Sequence, residues 1–160
     1  MLERILPGAS QLQNYHPLLV HFPIAFIYGA SLTYFLAWIT ASEKLQWTAL
    51  WMLILATISA AAALTSGFYA APGLMIAESV RNELLNHHKH LMIAATILTG
   101  LLTAWALASR PMPTRGRILF MAGLIAVMGL IAAGGDLGGE MVYAYNAAGT
   151  ACAQPIDLKK

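Results

Sequence analysis

The sequence predicts an all-α fold: an integral membrane four-helix up-down bundle, formed by residues 1–160 as a single membrane domain. Three observations carry this expectation. Of the 160 residues, 59% are hydrophobic and 10% charged, whereas a soluble domain carries roughly 25% charged residues; most of the surface is therefore expected to face something other than water. Four stretches reach the roughly 20 apolar residues that a helix needs to cross the hydrocarbon core. None of the four contains Asp, Glu, Lys or Arg, as required where one central charge costs at least about 2.5 kcal/mol. Helices of a soluble bundle would instead show a polar stripe.

The N-terminal segment MLERILPGASQLQNYHP has no apolar core and does not read as a cleaved signal peptide, so the first apolar stretch is expected to be retained as a span. Span one runs from about Leu18 to Thr40. Pro17 suits its start, and Pro23, inside its first turns, frees the carbonyl near Leu19. Span two runs from about Trp47 to Ala71, and Pro72-Gly73 ends it. From Leu74 to Asn86 the pattern changes: Ala77, Val80, Leu84 and His88 recur at helical spacing, with Glu78, Arg81 and Glu83 between them. That suits a short interfacial helix running into span three. Span three covers about His90 to Ala108 and span four about Ile118 to Gly135. In span four Ala122, Ala126, Gly129 and Ala133 form a small-residue row that would let a neighbouring helix approach closely. The following GGDLGGEMVYAYN holds four glycines, which argue against a regular helix. Asp136 and Glu140 there read as part of a solvated exit from the membrane, with an acidic pair for proton handling or docking as the other reading, and Tyr143 and Tyr145 as interfacial anchors.

Basic residues in short loops set orientation. The loop SRPMPTRGR holds Arg110, Arg115 and Arg117, and the loop between spans one and two holds Lys44. Both are expected on the cytoplasmic side, with Trp38, Trp47, Trp51 and Trp105 as a belt near it. Both termini then face the periplasm of a bacterial inner membrane. Arg4, Arg81, Lys89, Lys159 and Lys160 oppose this but are dispersed, with Glu78 and Glu83 among them. A net charge of +2 is too small to argue for a nucleic-acid partner, and a single cysteine, Cys152, forms no intrachain disulfide framework.

All five histidines fall at the outer ends of two spans: His16 and His21 in NYHPLLVHFPIA, and His87, His88 and His90 in LLNHHKHLMIA. Spans one and three run in the same direction, which places these groups at similar depth and, in an up-down bundle, diagonally across its axis. Two imidazoles facing each other across a bundle can hold the iron of a planar haem from both sides, as in b-type cytochromes. The expected axial pair is His21 and His88. His16 and His90 are the reserve pair, for a second haem or for the propionates, and His87 competes with His88. Because residues two apart on a helix point roughly 200° apart, His88 and His90 cannot serve one iron. Zinc or copper is the rival ligand. There is no C-x-x-C, and no c-type haem attachment motif C-x-x-C-H.

The phrase HPLLVHFPIA, the four spans, a histidine opening span three and the late GGDLGGEMVYAYNAAG together resemble a family of predicted bacterial four-helix membrane proteins with an HPxxVHFP signature, domain of unknown function 2231. The resemblance covers about Asn14 to Gly149. It implies a candidate b-type cytochrome that often accompanies c-type cytochromes or other redox proteins. By position, His16, His21 and one of His87 or His88 match the family's histidines. It supplies no reaction, so function rests on the site.

The expected function is a small membrane electron-transfer subunit binding haem b, one or two, near the periplasmic face, within a larger respiratory or redox complex. Its partners would be membrane lipid, a quinone pool and an external redox protein such as a c-type cytochrome. The sequence has no nucleophile–base pair, Walker loop or dinucleotide fingerprint, so no catalysis is expected of this chain alone. The alternatives are a cofactor-free structural subunit of a membrane complex and a metal-binding membrane protein.

Overall fold

The computed structural model describes residues 15–147; Arg4, Cys152, Lys159 and Lys160 lie outside them. Four helical spans follow one another: His16–Thr40, Glu43–Gly73, Glu78–Ser109 and Arg117–Tyr143. Each is long and apolar enough to cross a membrane, and no strand occurs among the described residues. Spans one and three each pack against spans two and four, so the bundle is a ring with spans one and three on its diagonal.

Side chains on the inner faces, among them Ile27, Tyr34, Leu53, Phe120, Leu124 and Val127, are fully buried. Outside, Leu32, Ile39, Trp51, Leu101, Ile118 and Ile125 are exposed. In water this surface would be an aggregation liability; in a bilayer it meets a matching solvent, so packing rather than hydrophobic transfer must hold the helices together. One such interhelical tie is the Thr57–Thr103 hydroxyl pair at 2.7 Å, joining spans two and three.

The connections differ in build. Spans one and two are joined by Ala41, in the left-handed region at φ 52°, and Ser42, whose hydroxyl accepts from the Leu45 amide and caps span two. The longer connection before span four folds inward, with Met112 and Pro113 buried. There the Tyr34 hydroxyl donates to the Pro111 carbonyl at 3.1 Å, and Phe120 meets Tyr34 and Trp105 edge-on at 5.0 and 5.8 Å. Gly116, at φ +75°, starts span four; a side chain there would also strike the Trp105 ring. Trp105 thus packs inward on Phe120, unlike the exposed Trp38, Trp47 and Trp51.

At the opposite end several expectations are corrected. Span one is broken after Leu19: helix His16–Leu19 ends, Val20 intervenes, and helix His21–Thr40 begins. Pro23 supplies no N–H for the Leu19 carbonyl, so the ladder parts there. Span three starts at Glu78, well before His90, after four residues without regular structure (74–77). Its first turns include a π-helical stretch, Arg81–Leu85. The glycine-rich exit of span four is helical to Tyr143. Where water is scarce the backbone must satisfy its own hydrogen bonds, and Gly134 and Gly138 give room to Met92 and His88 from span three. The row Ala122, Ala126, Gly129 and Ala133 faces away from the bundle. Of the two tyrosines, Tyr143 is exposed but Tyr145 is buried with Ile76, Val80, Leu85 and Met141 in a small second core. Arg81 ties this end down, donating to the carbonyls of Ala71 at 3.0 Å and Leu74 at 2.8 Å.

Candidate functional site

The helix phases gather chemistry at the end of the bundle where span one is broken. A cavity of about 540 Å³ opens between the spans there, within the roughly 300–1,000 Å³ usual for small-molecule sites. Its walls are mainly apolar, with Ile24, Leu64, Phe68, Met92 and Ile131 among them. His16, His21 and His88 line it, as do Lys89 and the hydroxyl-bearing Thr96 and Thr99. His87 and His90 are exposed and lie outside it.

His16 is half-buried, and its Nδ1 is 3.1 Å from the Ala63 carbonyl and 3.0 Å from the Ser66 hydroxyl, both on span two. Ser66 itself donates to the Ala63 carbonyl at 2.7 Å, so the three groups form one cluster. A carbonyl only accepts, so Nδ1 carries the proton and Nε2 carries the ring's lone pair; the tautomer is assigned from these partners. The ring lies against Gly67, where an added Cβ would stand 3.0 Å from His16 Cε1.

His88 repeats the arrangement from the diagonal span. Its Nδ1 donates to the Gly134 carbonyl of span four at 2.7 Å, and its ring packs over Gly138. The same reasoning leaves the lone pair on Nε2. Each imidazole therefore projects from one span, is fixed by a backbone carbonyl of a neighbouring span, and borders the same cavity. His21 borders the cavity but is exposed, and among the described residues no hydrogen bond holds it.

This arrangement has the form of a ligand pair. A ligating histidine characteristically donates its other N–H to a carbonyl or carboxylate, which fixes the ring and raises the basicity of the ligating nitrogen. Among the described residues no group of three or more His, Cys, Asp or Glu converges on one point. Zinc held by side chains alone needs at least three such donors. A haem brings four equatorial nitrogens of its own and asks the protein only for axial ligands. The donor set, the cavity size and its apolar walls therefore fit a haem.

Asp136 and Glu140 do share a helical face, but both are exposed and neither borders the cavity. The sequence argument paired His21 with His88, whereas the ring anchored opposite His88 belongs to His16. It also missed the anchoring carbonyls of Ala63 and Gly134, and Lys89. A signal was present: Ala63 and Gly67, and Gly134 and Gly138, are small residues four apart at the histidine-bearing ends of spans two and four. Small residues at that spacing, facing a bulky residue of the next helix, mark a close approach.

A family model described as a predicted membrane protein (DUF2231) matches residues 13–151. No curated protein and no solved structure matches.

Proposed function

The chain belongs to the DUF2231 family of predicted membrane proteins, and from its site we propose that it is a multi-pass membrane electron-transfer subunit whose cavity holds haem b between His16 and His88. One observation carries the proposal: on diagonal spans, two imidazoles border one apolar cavity, each with Nδ1 bound to a backbone carbonyl of the adjacent span. A haem there would supply a one-electron couple. The chain's own part is to hold both imidazoles in the lone-pair-on-Nε2 tautomer, fix their planes and keep bulk water from the cavity. His21, exposed at the cavity, takes a supporting role toward the polar edge of the occupant. His87 and His90 take none.

The same reading places this end of the bundle at the periplasmic face of the bacterial inner membrane, with Arg110, Arg115 and Arg117 on the cytoplasmic side, in keeping with the bias of basic loops. Electrons would pass between the quinone pool in the bilayer and an external redox protein such as a c-type cytochrome. The outward small-residue row of span four supports assembly within a larger membrane complex.

Visible spectroscopy of the purified protein tests the cofactor. A Soret band with a sharp α-band on reduction is expected, lost or converted to high spin in His16→Ala and in His88→Ala, and retained in His90→Ala. A low-spin spectrum surviving both of the first two substitutions refutes the ligand pair. Bound transition metal without a Soret band would mean a metal-handling protein; neither would mean a cofactor-free subunit. Impermeant labelling of a cysteine placed at Arg115 in intact cells would overturn the orientation.

A further inference from the structure

The charges around the cavity are one-sided. Among the described residues, Lys89 is the only one lining the cavity with a permanently charged side chain, and no Asp or Glu lines it. Lys89 is half-buried, and among the described residues no carboxylate pairs with its ammonium. The acids nearest in chain or in level are turned away: Glu83 is exposed, and on span four the helix phase presents Gly135, Gly138, Gly139 and Val142 to the cavity while Asp136 and Glu140 face outward. A cation at membrane depth is costly unless it is paired. This one borders a space to which the described residues bring no anion.

We infer that Lys89 is the acid-binding rim of the cavity, and that the occupant is an apolar body carrying a carboxylate that pairs with it. The inference rests on the haem reading, in which the acid is a propionate. Adjacent helical residues point about 100° apart, so Lys89 flanks the His88 imidazole and does not compete with it for the same point. An apolar body between the histidines and an acid edge at Lys89 would fix which edge of the occupant faces the membrane surface. His21, exposed on the same cavity, is placed to support a second acid.

The test uses the full chain produced in haem-starved cells and purified in mild detergent. It is titrated with iron protoporphyrin IX and with its dimethyl ester, which has the same ring, iron and apolar body but no free acid. The diacid is expected to bind roughly tenfold or more tightly, the scale of one charge-assisted hydrogen bond. In Lys89→Gln that preference should collapse, with the low-spin spectrum of the bound iron retained; Lys89→Arg should keep it. Equal binding of the two porphyrins overturns the inference and leaves the haem reading standing. A preference that persists in Lys89→Gln overturns the assignment to Lys89. If neither porphyrin binds, the haem reading fails and this inference with it.

Discussion

Gly67 and Gly138 hold corresponding places beside His16 and His88, yet the clearances differ, so one substitution at both positions gives a controlled comparison. At Gly138 a methyl group would stand 3.5 Å from His88 Cε1 and 3.7 Å from Nδ1, close to the optimum for carbon contacts of about 3.5–4.0 Å. At Gly67 it would stand 3.0 Å from His16 Cε1 and 3.3 Å from Nδ1. The His16 ring must then retreat by roughly 0.5 Å to regain normal contact. Its Nδ1 already lies 3.1 Å from the Ala63 carbonyl, and retreat from span two carries it past the good range, which ends near about 3.2 Å. Most of one hydrogen bond is lost, about 1 kcal/mol. Any gain in helix propensity from Gly→Ala is common to both sites and cancels in the difference. Gly138→Ala should therefore be neutral or stabilising, and Gly67→Ala less stable than it by about 1 kcal/mol, or about fivefold in the folded-to-unfolded ratio. Reversible unfolding in mixed micelles, titrated with a denaturing detergent, measures the difference. Equal stability of the two variants, or a more stable Gly67→Ala, would refute the packing of His16 on span two.

Tyr34→Phe removes the donor to the Pro111 carbonyl from a fully buried side chain, and should cost about 1–3 kcal/mol in the same unfolding titration; a loss near zero would show that the carbonyl finds another partner. Arg81→Met releases the carbonyls of Ala71 and Leu74 together. Amide exchange should quicken across residues 74–77 while the spans keep their protection, and unchanged exchange there would count against the tie. Neutralising the exposed pair by Asp136→Asn and Glu140→Gln should change stability by no more than about 0.5 kcal/mol each, as for ordinary surface sites. A larger loss, or an altered visible spectrum, would bring these acids into the site.

The four spans were legible because hydropathy and the lack of charge do not depend on contacts. The ring order with spans one and three diagonal was legible too, since an up-down chain with short connections has few other ways to close. What escaped the sequence was set by tertiary partners. The glycines of span four look like helix breakers on propensities measured in water, but Gly134 and Gly138 receive Met92 and His88 from span three. The small row from Ala122 to Ala133 looked like the packing face, whereas span four buries Phe120, Leu124 and Val127 instead. Trp105 was read with the belt because depth is readable from position, but the side of the helix that meets Phe120 is not. Among the histidines, depth was legible and facing was not. His16 and His21 are five residues apart and meet different neighbours, and of His87, His88 and His90 it is His88 that meets the carbonyl of Gly134, on a span that begins nearly thirty residues later.

The tryptophans also work as a gauge of depth. Trp38 and Trp47 are partly exposed near the tight connection between spans one and two. Twenty residues on from Trp47 along span two stands Gly67, and twenty back from Trp38 along span one stands Leu18. At about 1.5 Å per residue each interval is about 30 Å, the thickness of the hydrocarbon slab. With one rim of the slab at the tryptophans, the His16 ring that rests on Gly67 lies at the other rim, neither in mid-membrane nor out in water. A molecule seated there would meet oil on one flank and headgroups on the other. It would have to be two-natured itself, and it could exchange with a partner in the water without any channel through the bundle.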